Sequence, residues 1–295
     1  MRSKACRKVL WTSAIASAVA ITVAGLYLYR ESDKRERQLQ EKLLLHTAEE
    51  LQLIEDFEGC LQIVNDILEN YNPHSFEAQR LKTLCMSQEN SITEEAQKAL
   101  QLAGNNIKDI TRVEIILELF YLQQQQQAVN NNSSAFTFET APQRTREFLQ
   151  RLDTIITQHY PYDDDLLVER AAMQAILLNV QQVREDCELV MGLSGTTHPA
   201  ALSSSAPIIV KTYNFAKAAY LYSFTFQNNV NERLRYLNMA LEQEPNFFSA
   251  LYERANIFTR VLKQPDKALL DINAVLSLNA RHCNALNLYA TCMIQ

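Results

Sequence analysis

Asn246 to Asn279 reads NFFSALYERANIFTRVLKQPDKALLDINAVLSLN, and this stretch decides the fold. Leu251, Ala255 and Phe258 fall at i, i+4 and i+7, one stripe of a helix. Ala268, Ile272, Val275, Leu276 and Leu278 make a second stripe beyond a polar break at Lys263 to Lys267. The small Ala268 lets two helices approach closely while the larger residues fill the seam. Neither helix buries its stripe alone, so the unit predicts neighbours of its own kind.

The chain supplies them. Thirty-five residues separate Ala240 from Val275, Pro245 from Ala280, and Ala255 from Ala290, each pair at an equivalent place. That is one residue over the tetratricopeptide (TPR) period, and the longer break at Lys263 to Lys267 accounts for it. Upstream, Glu169-Arg170-Ala171 followed by Asp186-Cys187-Glu188-Leu189-Val190 repeats Glu253-Arg254-Ala255 followed by Asp271-Ile272-Asn273-Ala274-Val275. Near the start, Ala48, Leu51, Asp56, Phe57, Cys60, Val64, Ile67 and Leu68 trace the same pattern, closed by Pro73. The expected fold is all-α, a TPR-type helical-hairpin solenoid over 41–295. Such arrays present surfaces and carry no fixed chemistry.

Composition agrees. The whole chain of 295 residues holds five glycines, too few and too scattered for a G-x-G-x-x-G or Walker loop. The six cysteines, at 6, 60, 85, 187, 283 and 292, include no C-x-x-C pair and read as reduced core thiols. His46, His74, His159, His198 and His282 show no metal-ligand spacing, and no nucleophile motif is present. No enzymatic activity, cofactor or metal is therefore expected. The triple Asp163 to Asp165 reads as helix-capping charge in preference to a metal site. The formal charge is −6, and about −10 without the four basic residues of 1–8, a balance that repels nucleic acid and attracts basic partners.

Residues 1–8 form a short basic tail. Val9 to Tyr29 then runs for 21 residues without a charge, enough for a helix to cross about 30 Å of hydrocarbon. Trp11 at one end and Tyr27 and Tyr29 at the other suit an aromatic belt, so 9–29 reads as a transmembrane anchor. A cleaved signal peptide is the competing reading, with Ala16-Ser17-Ala18 as cleavage site, although cutting there leaves the apolar run Val19 to Leu28 at the mature terminus. Both flanks are basic, so charge counting leaves the orientation open. Residues 30–40 read as a charged spacer. Asp109 to Leu122 is expected to be helical, 123–134 (QQQQQAVNNNSS) a flexible polar insertion, and Leu193 to Pro207 a loop.

A basic start, the span AVAITVAGLYLYR, a charged spacer and then TPR units together resemble the large TPR import receptor of the mitochondrial outer-membrane translocase. The likeness is sharpest at ALYERANIF and LLDINAVLSLN, and the middle with its polar insertion departs from it. The resemblance implies a single-pass receptor of the mitochondrial outer membrane, its body in the cytosol. Its implied partners are mitochondrial precursor proteins, other translocase subunits and cytosolic chaperones.

Clamp-type repeats grip a chaperone's C-terminal carboxylate with Lys, Asn and Arg on their inner helices. Here the inner face is expected at Ser249, Tyr252, Glu253, Asn256 and Thr259. Asn256 fits, but Glu253 and the equivalent Glu169 stand where arginine is required, and the first repeat offers Leu45, His46 and Glu49. Chaperone docking is therefore expected to be weak or absent. Tyr252, Asn256, Asn287 and Leu288 are expected to line a groove that takes an amphipathic helix by its apolar face. The alternative function is a TPR scaffold or tether anchored in another membrane, without an import role.

Overall fold

A computed structural model describes residues 32, 34–52, 54–86, 92–129, 141–193 and 212–294. The membrane anchor, with Val9, Trp11, Tyr27 and Tyr29, lies outside them. Among the described residues no helix is long and apolar enough to cross a membrane.

The described chain is helical throughout. Helix α1 covers residues 34–52, α2 Phe57–Asp66 with a π-helical last turn Ile67–Tyr71, α3 Phe76–Cys85, and α4 Ile92–Ala103. Helices α5 (Ile107–Val129), α6 (Gln143–His159), α7 (Asp164–Ile176) and α8 (Val180–Met191) follow. The last five are α9 (Thr212–Ser223), α10 (Val230–Gln243), α11 (Phe248–Arg260), α12 (Pro265–Leu278) and α13 (Cys283–Ile294). They pair in chain order into six hairpins, with α13 packed on the last.

Short polar signals set the helix ends. Asp56, Asp163 and Asn229 cap α2, α7 and α10, their side chains accepting from the N–H of Gly59, Leu166 and Glu232. A side chain at 59 would disturb this cap, because a Cβ there would sit 2.6 Å from the Asp56 carboxylate, which would have to shift. Three of the turns inside hairpins share one geometry, with Glu55, Leu178 and Lys263 at φ +57°, +57° and +54°. The following residue then donates back, Asp56 to Leu51, Asn179 to Gln174 and Gln264 to Phe258, which satisfies helix-end carbonyls. The last of these closes one residue farther back. It is the extra residue that lengthens the period to thirty-five.

The seams are built as the repeat pattern requires. Ala255, Ala268, Ile272 and Val275 are fully buried, and Leu251 is nearly so. The main core cluster runs from Ile115 in α5 to Ala285 in α13, a continuous strip through the array. A smaller cluster of Ala48, Cys60, Val64, Ile67, Ala78, Leu81 and Cys85 joins α1, α2 and α3. There the thiols of Cys60 and Cys85 meet at 3.1 Å.

Several boundaries differ from the sequence reading. Helix α5 continues through Val129, so 123–129 of the polar tract is helical; Gln and Ala are good helix formers and need no burial to extend a helix already nucleated. The rest of that insertion, 130–134, lies outside the described residues, as does most of the loop predicted at Leu193 to Pro207. Residues 34–52 form one helix, so the charged spacer from 34 onward opens the first hairpin. Helix α12 starts at Pro265, whose fixed φ suits a first helical position, and Lys267 is inside it.

Candidate protein-docking face

The curvature of the array follows from which helices touch. Close backbone contacts run between first helices of successive hairpins, α3 to α5, α5 to α7 and α7 to α9, and again from α11 to α13. No two second helices approach comparably among the described residues. First helices therefore line the inside of the curve, where the circumference is shorter.

A ladder of charge crosses this inner face. Glu77 of α3 accepts from Arg80 at 2.8 Å and from Arg112 of α5 at 2.6 Å. Burial opposes ionisation of Glu77, yet the two guanidiniums hold its carboxyl below the usual range. Lys108 of α5 reaches Asp163 at 2.6 Å and Asp165 at 3.3 Å, and Asn214 of α9 donates to Asp165 at 2.8 Å. Asp163 thus caps α7 and also accepts the lysine. Glu169 is half-buried on α7, close enough to act on Arg112 and on the Tyr213 phenol.

Past α9 the inner face turns aromatic. Tyr220 meets Phe224 at 4.9 Å and Phe247 at 5.3 Å, edge to face, and Tyr213 meets Phe247 at 6.0 Å. The His282 ring stands edge-on to Phe248 at 4.6 Å and to Tyr252 at 5.8 Å. Glu253 pairs with Arg233, whose guanidinium lies over the Phe224 ring. Burial pushes the Glu253 carboxyl upward, against Arg233 and a hydrogen bond from Asn256. The Asn256 Oδ1 is itself buried with no partner among the described residues.

The expected groove is thus brought together in part. Tyr252, Glu253 and Asn256 share this end of α11. Leu288 lines no open groove: it is 2% exposed, packed with Ala255, Ala268, Ile272 and Cys292 in the seam that α13 makes with α11 and α12, and Tyr252 packs on that cluster. Thr259 is likewise buried, its hydroxyl donating to the Ala255 carbonyl and touching the Cys292 thiol. Both follow from α13 covering the C-terminal end of α11. Asn287 stays exposed on α13.

The repeated Glu-Arg-Ala and Asp pattern proves to be a structural tie. Arg170 forks onto Asp186 at 2.9 and 2.5 Å and reaches back to Asp153 of α6 at 2.8 Å. Arg254 forks onto Asp271 at 2.8 and 2.6 Å and reaches back to Asn238 of α10 at 2.8 Å. Each guanidinium staples its own hairpin to the preceding one. In α3 and α4, Gln79 takes the arginine's place and donates to Glu95 at 2.6 Å. The spacing of sixteen or seventeen residues is visible in the sequence, but the pairing across it depends on how the two helices face each other.

These features define the class as a curved solenoid of helical hairpins. No protein-family model and no curated protein matches the chain. Among solved structures the APC/C hetero-tetramer Cut9-Hcn1 is similar, with 12% identity and a TM-score of 0.45, covering 88% of this chain and 46% of that one. The chain thus spans less than half the length of that neighbour.

Proposed function

We propose that the chain is a receptor of the mitochondrial outer membrane, anchored by 9–29, whose cytosolic solenoid binds precursor proteins and passes them to other translocase subunits. The observation that carries this reading is the aromatic end of the inner face, around Tyr252 and Asn256, set in an acidic body. An amphipathic, basic targeting segment matches such a surface by its apolar side and its charge. The reading involves no enzymatic step and no cofactor.

Chaperone-tail docking is assigned no part. Arg80 and Arg112 are engaged by Glu77, Lys108 by Asp163 and Asp165, and Arg233 by Glu253. An acidic tail would have to compete with carboxylates already in place.

The test begins with localisation of the full chain and of a chain lacking 1–30, with external protease added to isolated organelles. Mitochondrial staining removed by protease, and solubility on loss of 1–30, are expected. Reticular or plasma-membrane staining would instead indicate a tether without an import role. Replacing Tyr252 and Asn256 together by alanine should weaken precursor binding roughly tenfold, the effect of losing about 1.4 kcal/mol at a docking centre.

A further inference from the structure

Five of the six cysteines stand among the described residues, all as free thiols, and two of them touch. Cys60, the fourth residue of α2, and Cys85, the last of α3, bring their sulfurs to 3.1 Å inside the cluster that joins α1, α2 and α3. The chain carries its own control at the other end. Ala268 is the fourth residue of α12, and Cys292 is the tenth of α13 as Cys85 is the tenth of α3; the two share one cluster. There the thiol has an alanine in its seam and touches the Thr259 hydroxyl instead. A seam of this kind packs with one sulfur, so the second sulfur at Cys60 is not a demand of packing. The pair is also chemically unequal. Cys85 donates its S–H to Cys60, which holds the Cys60 thiol below its ordinary range against the effect of burial, while the same bond and burial push Cys85 up. Cys60 is therefore the sulfur that ionises, with Cys85 beside it.

We propose that Cys60 and Cys85 are a redox modification site, joined by a peroxide into a disulfide that ties the first hairpin to the second and parted again by thiol reductants. The Cys60 thiolate attacks one peroxide oxygen, the O–O bond breaks, and the hydroxide that leaves takes up the proton Cys60 released, giving water. Cys85 then attacks the sulfur of the resulting sulfenic acid; the S–S bond forms, and the hydroxyl leaves with the Cys85 proton as a second water. Two thiols lose two electrons and one peroxide gains them. The sulfurs need come only about 1 Å closer than they stand. Cys60 is 0% and Cys85 3% exposed, so the peroxide enters when the α2–α3 seam opens locally. The core of that seam is a small cluster apart from the main one. Beyond α3, the first hairpin also meets the array through Ile54, on the main cluster, and through Glu55, in the turn between α1 and α2, whose Oε2 lies 3.2 Å from Nε2 of His282 in the turn before α13. The disulfide adds a covalent tie to these contacts.

The test uses the full chain, reduced and held in detergent, with hydrogen peroxide as the oxidant. Remaining thiols are alkylated after unfolding, and the digest is read by mass spectrometry; oxidation of the exposed Cys283 reports that peroxide was sufficient. The expected product links the peptides of Cys60 and Cys85 and is cleaved by dithiothreitol. Amide exchange in α2 and α3 should slow about tenfold on oxidation, because the bond closes a loop between residues 25 apart. Cys60→Ala reproduces the seam of Ala268 and Cys292, so it should keep the wild-type helix signal, form no link and show no slowing; Cys85→Ala should behave alike. Cys60 and Cys85 both alkylated while Cys283 is oxidised, a link without slower exchange, or equal slowing in the two alanine variants would each overturn the proposal.

Discussion

Two hairpins of the array solve the same packing problem by different means. In α7 and α8 a single buried guanidinium, Arg170, is clasped by Asp186 ahead of it and Asp153 behind, and the helices close on Ala171 and Cys187. In α5 and α6 the seam holds a buried carboxylate instead, Glu118, which accepts from Thr145 at 2.5 Å and Arg144 at 3.1 Å, with Arg151 meeting Glu114 at 2.7 Å nearer the surface. Those two helices do not approach as closely as α7 and α8, and larger side chains such as Leu122, Phe148 and Leu152 fill the space. The tie in the closer pair spans three helices, and the tie in the wider pair spans two.

Breaking the ties should rank accordingly. Asp186→Ala leaves Arg170 buried with only the more exposed Asp153, and is expected to cost about 3 kcal/mol in urea unfolding followed by helix signal. Replacing Arg170 and Asp186 together by leucine should recover much of that loss, because no buried charge is then left unpaired. Glu118→Ala strands Thr145 at a fully buried site and should cost about 2 kcal/mol, with faster amide exchange confined to α5 and α6. Asp271→Ala acts on the equivalent tie where the arginine side chain is 23% exposed, and about 1.5 kcal/mol is expected. If Asp271→Ala proves as costly as Asp186→Ala, burial is not what separates the ties.

A pH series sharpens the comparison at the inner face. Glu77 is held below its ordinary range in the folded chain, so its contribution to stability is complete above the unfolded value near pH 4.3. It is lost as pH falls from there through the lower folded value. Glu77→Gln should therefore flatten the acid limb of the stability profile measured by urea midpoints. The smallest effect is expected at the turns. Leu178 is half-exposed with left-handed backbone, and Leu178→Gly should stabilise by under about 1 kcal/mol, since relief of the backbone penalty is partly offset by glycine's entropy.

What the sequence made legible was local. The stripes Leu251, Ala255 and Ala268, Ile272, Val275 are the seam of the sixth hairpin, and the one-residue excess in period is the longer turn at Lys263. The polar tract misled because composition speaks of burial, and α5 extends on propensity without it. Leu288 is expected in a groove and Thr259 on the inner face because periodicity gives a face of one helix and not the neighbour that covers it. The sequence shows Glu253 and Glu169 where a clamp needs arginine but not the rest of the inner charge ladder; that Arg112 answers Glu77 and Lys108 answers Asp163 follows from α3, α5 and α7 standing side by side. The meeting of Glu55 and His282 had no sequence signal, since it depends on small rotations accumulated over every intervening hairpin.

That contact between the turn before α2 and the turn before α13 bears on how the chain folds. An open row of repeats unravels from its ends one unit at a time, because each terminal unit has a single neighbour. Where the first described hairpin also touches the turn before α13, the row between them behaves as a loop, in which loss of either of those units removes an additional interface. Fraying at one end then becomes coupled to fraying at the other, and unfolding sharpens toward a single transition. The same contact, made across 227 residues, is expected to form late on folding, after the intervening hairpins have stacked.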